Sequence, residues 1–253
     1  MTNLAPKLRD SLAELIAISS VSSINPDLDQ SNKEIVEVLA NWREDLGFSL
    51  ELMPVSDTPE KLNLIACMGK GEGGLVLSGH TDTVPYDVNA WHQDPFVLTE
   101  KDNKLYGLGV SDMKCFFPLV MEVIQQLDLK SLHRPLFIVA TADEESTMAG
   151  AQALADSGIS LGRHALIGEP TGLVPVHMHK GVMIEVIRLS GCSGHSSDPS
   201  LGNSALEGMH AVISSLIQWR EDLQMQNINN DFHVPIPTLN FGSIHGGDNP
   251  NRI

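Results

Sequence analysis

Apolar and polar positions alternate with two different periods along the chain, and the change of period marks out the elements. Leu8, Leu12, Leu15 and Ile16 recur at helical spacing, which predicts an amphipathic helix over 8–17. Ser31 and Glu34 have the spacing of a capping box. Ile35, Val38, Leu39, Trp42 and Leu46 then form one apolar stripe, and Gly47 is a fitting stop for that second helix. Strands are predicted at 48–53 and 62–68. The runs 75–78 and 136–140 are apolar without alternation, as expected of central strands covered on both faces. Between them, 91–110 reads as a hairpin whose turn is "KDNK", and 113–127 reads as a helix. A helix over 147–157 and a strand over 164–170 follow. Strands alternating with helices indicate an α/β domain with a mostly parallel central sheet flanked by helices.

The pattern changes near Gly181. A strand is expected in "GVMIEVIRLSG", then a polar loop, a helix over about 203–220, and another strand in "PTLNFGSIHGG". This β-α-β order predicts two parts: residues 1–180, and residues 181–253 as the start of a smaller α+β domain. The last residues, "NPNRI", follow a glycine pair with no closing element, so a truncation or domain fragment is expected.

Composition narrows the function classes. The 253 residues are 42% hydrophobic and 19% charged, enough for a sizeable core. Acids outnumber bases 32 to 16, and a net charge of −16 argues against a nucleic-acid partner, which needs a basic surface. The same acids would suit metal cations if they converge. Three widely spaced cysteines, Cys67, Cys115 and Cys192, form neither a disulfide framework nor a cysteine zinc site, and a reducing cytoplasm is expected. The start "MTNLAPKLRD" lacks the features of a signal peptide, and no apolar run approaches the ~18 residues of a membrane span.

Four polar segments follow predicted strands or lie just beyond them: His80-Thr81-Asp82, Ser111-Asp112, Glu144-Glu145 and Gly168-Glu169. In an open α/β sheet, sites form in the crevice beyond the carboxyl ends of the strands, where residues distant in sequence meet. One imidazole with several carboxylates suits Zn²⁺, Co²⁺ or Mn²⁺. Each segment alone reads as ordinary strand-end polarity. Together they leave a metal site and a merely solvated edge about equally open.

The stretches "SGHTDTVP" (78–85), "YGLGVSDMK" (106–114), "ATADEES" (140–146) and "IGEPT" (167–171) resemble the dinuclear zinc amidohydrolases and peptidases, a family that includes aminoacylase and succinyl-diaminopimelate desuccinylase. "HKG", "SGHSSDP" and "HGGDNPNRI" extend the resemblance over the whole chain. It implies a zinc-peptidase-like catalytic domain carrying a lid and dimerisation domain, and hydrolysis of a small N-acyl amino acid. Two divalent ions, zinc or cobalt, would be held by His80, Asp112 and Glu169 on one side and by Glu145 on the other. Asp112 would bridge them. Glu144 would be the general base, and Asp82 would stand behind His80. His195 would stabilise the oxyanion from the partner subunit of a homodimer, and Asn251 would help bind substrate. The family's last histidine ligand has no match here. One tight ion and negligible activity are therefore expected of these 253 residues, and a non-catalytic metal-binding fragment is the alternative.

Other features draw blander readings. The family usually has glycine where Cys115 stands, and a small buried residue packed beneath the site explains the cysteine. His177 and His179 share a strand face, but the carboxylate-rich set already accounts for the metals. His92 and His245 match no role. Gly71, Gly73 and Gly74 precede a strand and lack the lysine of a phosphate loop, so they read as a turn. Asp143 is assigned a structural place at the strand end, its partner open.

Overall fold

The computed structural model describes residues 6–44, 46–57 and 59–253. The first five residues of the "MTNLAPKLRD" start lie outside them. The chain divides into two compact units, 1–174 and 175–253.

The first unit is built on a five-stranded sheet. Its strands are β1 (Ser49–Asp57), β2 (Glu60–Met68), β3 (Leu75–His80), β6 (Leu136–Thr141) and β7 (His164–Ile167), in the order β1-β2-β6-β3-β7. β6, β3 and β7 pair in parallel, while β2 pairs antiparallel with both β1 and β6. Four of the five strands therefore share one direction and β2 alone opposes it. β3 and β6 end together at His80 and Thr141, which are paired. β4 (Thr99–Lys101) and β5 (Lys104–Tyr106) form a separate hairpin. Asp102 and Asn103 turn it with φ of 52° and 59°, the left-handed pair a tight two-residue hairpin loop requires.

Helices α1 (Pro6–Ala17), α2 (Lys33–Glu44), α3 (Phe116–Ile124) and α4 (Ala149–Asp156) complete the unit. Leu15 from α1, Ile35 and Leu39 from α2 and Phe117 from α3 meet Leu62 and Leu64 of β2 in one buried cluster. Apolar burial at about 25 cal/mol per Å² is the main force holding the helices on the sheet. The Ser31–Glu34 box does not close. Ser31 Oγ donates to the Glu60 carbonyl at 2.6 Å and accepts the Lys33 N–H at 3.1 Å, and α2 starts at Lys33. A tertiary carbonyl within reach outcompetes the local cap.

Asn63 seals the end of β6. Its Oδ1 accepts the Ala142 N–H at 3.0 Å and its Nδ2 donates to the Gly150 carbonyl at 2.8 Å. A Cβ on Gly150 would lie 2.4 Å from the Ala142 carbonyl oxygen and 2.5 Å from Asn63 Oδ1. Gly150→Ala gains about 1 kcal/mol of helix propensity. The overpacking costs about 1–3 kcal/mol and falls on backbone that cannot yield easily. A lower urea midpoint with an unchanged m-value is the expected result.

The second unit contains one long helix, α5 (Ala205–Gln226), capped by Ser204 accepting the Glu207 N–H at 3.3 Å. Two strand expectations fail here. Residues 181–191 and 237–247 form no ladder. Alternation supplies a strand's side chains but not its pairing partner, and Val182, Met183, Ile184 and Val186 stay exposed. In the second segment, α5 side chains claim two carbonyls: Gln224 Nε2 donates to Pro237 at 3.0 Å and Arg220 Nη1 to Leu239 at 3.4 Å. No helix among the described residues is long and apolar enough to cross a membrane.

Candidate active site

The carboxyl ends of β3, β6 and β7 deliver His80 and Asp82, Glu144 and Glu145, and Glu169 to one edge of the sheet, and the turn between β5 and α3 brings Asp112 there. His80 is the last residue of β3 and is 1% exposed. Its Nδ1 lies 3.0 Å from the Asp82 carbonyl oxygen, which can only accept, so Nδ1 carries a proton. Nε2 is thereby turned toward the carboxylates. It stands 3.1 Å from Asp112 Oδ1, 3.9 Å from Glu169 Oε1 and 4.0 Å from Glu144 Oε2. Ligand atoms of His80, Glu144 and Glu169 converge within 4.8 Å of one another, as do those of His80, Asp112 and Glu145.

Asp82 is also 1% exposed, and its carboxylate does more than face the histidine. Oδ1 accepts the Glu144 N–H at 3.2 Å and Oδ2 accepts the Glu145 N–H at 3.0 Å. Oδ1 is 3.6 Å from His80 Nδ1, farther than the carbonyl oxygen of the same residue. The side chain thus fixes the loop carrying the two glutamates, and the backbone of the same residue orients the imidazole.

Electrostatics define the chemistry of the cluster. Burial alone lowers the His80 imidazole, but Asp82, Asp112 and Glu144 outweigh it and raise its pKa to about 9. Burial pushes Asp82 up, yet the His80 contact and the two amides hold it below its ordinary value. Glu145 is raised to about 7, first by burial and then by the Asp112 charge. Burial also raises Glu169; His80 opposes that shift, and Asp112 and Glu144 add to it. Four carboxylates crowd one imidazole, whose Nε2 proton sits where a cation would relieve their repulsion. This donor set fits a divalent ion with oxygen and nitrogen ligands, and binding one would release protons.

Glu169 follows β7 through Gly168, whose N–H donates to the Ser78 carbonyl at 3.0 Å. A Cβ on Gly168 would lie 2.1 Å from the Phe116 ring, so glycine lets β7 run close over α3. The peptide bond between Asp112 and Met113 is cis.

Of the residues singled out in the sequence, His80, Asp82, Asp112, Glu144, Glu145 and Glu169 come together in the first unit. Around His80, Glu144 groups with Glu169, and Asp112 with Glu145. His195 and Asn251 meet in the second unit, lining a shallow cleft with Ser193, Gly194, Asn249 and Arg252. There the Ser196 N–H donates to the Asn251 carbonyl at 3.2 Å, and the Ser197 N–H donates to His195 Nδ1 at 3.2 Å. His177 and His179 are exposed and join no metal-ligand group among the described residues, and the three cysteines are unpaired.

Sequence reasoning passed over several supports. Asp143 finds its partner in Lys61, whose Nζ is 2.7 Å from Asp143 Oδ1. Asn32 Nδ2 donates to Thr81 Oγ1 at 2.8 Å, fixing the residue after His80. Buried Lys114 donates to the Ile18 and Leu15 carbonyls at 2.6 and 3.2 Å.

The pattern of Peptidase family M20/M25/M40 matches residues 76–241. The acetylornithine deacetylase of Pectobacterium carotovorum is 52% identical over 239 residues, covering 94% of this chain and 62% of that protein. The acetylornithine deacetylase of Klebsiella pneumoniae is 50% identical over all 253 residues and 66% of its own length. The chain thus spans a little under two thirds of these relatives. Among solved structures, a tripeptidase from Staphylococcus aureus superposes with a TM-score of 0.60 at 21% identity, covering 97% of this chain and 62% of that one. Aminopeptidase PepT from Bacillus cereus gives 0.55 at 21% over the same shares. These two likenesses speak for the fold. With the family pattern lying across the sheet edge where His80, Asp112, Glu144, Glu145 and Glu169 converge, the chain belongs to peptidase family M20/M25/M40.

Proposed function

We propose that this chain is the greater part of a metal-dependent amidohydrolase that cleaves N-acetyl-L-ornithine to L-ornithine and acetate, a step of arginine biosynthesis in the cytoplasm. The observation that carries the chemistry is the convergence of four carboxylates on the Nε2 side of His80. The substrate follows from about 50% identity to proteins named acetylornithine deacetylase.

His80, Asp112, Glu145 and Glu169 would hold one or two divalent ions, zinc or cobalt. Bound there, such ions supply positive charge that acidifies water and polarises an acyl carbonyl. Glu144, on the same edge with its side chain 36% exposed, would accept the proton of the attacking water. It then passes that proton to the departing amine, acting first as base and then as acid. Asp82 keeps Glu144 in place by gripping its amide and that of Glu145. His195 of the second unit would offer an imidazole to a developing oxyanion, and Asn251, which lines the same cleft, would help bind substrate. Removing one such oxyanion donor costs about 3–4 kcal/mol in comparable enzymes. In the homodimer, His195 would serve the partner's site.

A second reading within the class is another N-acyl amino acid hydrolase, such as a succinyl-diaminopimelate desuccinylase. The test is hydrolysis by the intact protein of N-acetyl-L-ornithine and N-succinyl-diaminopimelate, with and without a chelator. Metal-dependent cleavage favouring the acetyl substrate is expected. Preference for the succinyl substrate moves the assignment, and activity that survives chelation defeats it.

A further inference from the structure

We propose that Lys61 is a positioning residue that sets the place of Glu144 and Glu145 by holding Asp143. The proposal rests on the reading above, in which those two glutamates serve a metal-assisted hydrolysis. β2 alone runs against the other strands, so it begins at the edge where β3 and β6 end. Leu64 of β2 pairs with Ala140 of β6, and continuing that register sets Lys61 opposite Asp143. Lys61 is 1% exposed, too deep for an ordinary surface lysine. Its Nζ donates to Asp143 Oδ1 at 2.7 Å and to Asp29 Oδ1 at 2.8 Å.

Asp143 occupies the residue before the two glutamates. Its φ is +56°, a left-handed conformation that a non-glycine residue adopts at a cost unless it is held. Lys61 is one of its holders. Ser22 is the other: its Oγ donates to Asp143 Oδ1 at 2.9 Å and also meets Ser146 Oγ, on the far side of the glutamates. The Asp143 carbonyl accepts the Met148 N–H at 2.7 Å and the Thr147 N–H at 3.2 Å, closing the turn. The segment 143–146 is thus clamped from two directions. Asp82 grips the amides of its middle, and Lys61 with Ser22 grips its ends. Asp29, the second carboxylate on Lys61, also accepts the Ser23 N–H at 3.1 Å, so the 22–30 turn is tied to the same ammonium.

Lys61 touches no group expected to react, so its effect runs through the geometry of Glu144. A displacement of about 1 Å in a catalytic group can cost about 100-fold in rate. Lys61→Met leaves Asp143 buried without its cation and could fail by unfolding. The pair Lys61→Met with Asp143→Asn removes both charges and lets the fold survive without the tether.

The experiment measures kcat, KM and metal content of the intact, metal-loaded protein with N-acetyl-L-ornithine, for the wild type, Ser22→Ala and the double variant. Backbone amide exchange is followed across 142–148 in each. The double variant should fold, keep KM within about twofold, and lose about 10- to 100-fold in kcat. Ser22→Ala should fall between it and the wild type, with faster exchange confined to 142–148. A folded double variant with wild-type kcat and unchanged exchange in that segment overturns the proposal. If the wild type hydrolyses no N-acyl amino acid, the functional reading fails instead. Exchange then decides the tether alone: protection lost only at 142–148 sustains it, and protection unchanged there or lost evenly along the chain overturns it.

Discussion

Replacing Glu144 by Gln in an active form of the protein should lower kcat about 10²- to 10⁴-fold while KM and bound metal stay near normal. Glutamine keeps the size and one acceptor oxygen but cannot take up the proton of the attacking water. Glu145→Gln should behave differently. Its carboxylate groups with His80 and Asp112, and burial beside Asp112 raises it to about 7 until a cation arrives. Losing that ligand should reduce metal content first, and activity through it. Steady-state kinetics paired with elemental analysis of both variants separates the two roles. The contrast matters because Glu144 lies within 4.8 Å of donors from both His80 and Glu169. Metal lost from the Glu144 variant would make it a ligand and leave the base to be sought elsewhere.

Asp82→Ala should be the most costly single change to the folded state near the site. The carboxylate is 1% exposed and accepts two amide hydrogen bonds, at 3.2 and 3.0 Å. Each such bond to a charged acceptor is worth about 1.5–3 kcal/mol, so about 3–6 kcal/mol is at risk together. The favourable field on His80 goes as well, because Oδ1 is 3.6 Å from Nδ1. Relief of repulsion among the neighbouring acids offsets part of the loss. Asp82→Asn, which keeps one acceptor, should cost about half as much. Urea denaturation of the metal-free variants checks both values, and a change under about 1 kcal/mol for the alanine variant would show that the amides find other partners.

What was legible in the sequence was what a single segment can carry. Apolar runs at 75–78 and 136–140 announced strands, and both are there as β3 and β6; β6 is buried along nearly all its length, whereas Leu75 at the start of β3 is exposed. His80, Glu144, Glu145 and Glu169 stood at the ends of such runs, so their convergence followed from the rule that parallel strands finish at one edge, whereas Asp112 comes from the turn after the β4–β5 hairpin. What was not legible depends on partners. β2 read as a strand, but its opposite direction is a property of pairing, and only that direction brings Lys61 to Asp143. Ser31 carried a capping signal that the Glu60 carbonyl overrode. Asp82 was assigned a place behind His80, and its Oδ1 stands 3.6 Å from Nδ1; its second task, accepting the amides of Glu144 and Glu145, depends on a loop distant in sequence. The segments 181–191 and 237–247 had strand-like patterning, but a pattern does not supply the neighbour that would complete a ladder.

The central claim is that the His80 edge holds a divalent ion. Anomalous diffraction at the zinc absorption edge, from crystals of this chain grown with Zn²⁺, tests it most directly. The predicted result is a peak about 2.0–2.1 Å from His80 Nε2, with Asp112 and a glutamate of the cluster as further ligands. Strong peaks elsewhere, at His177 and His179 for instance, with none at His80, would contradict it.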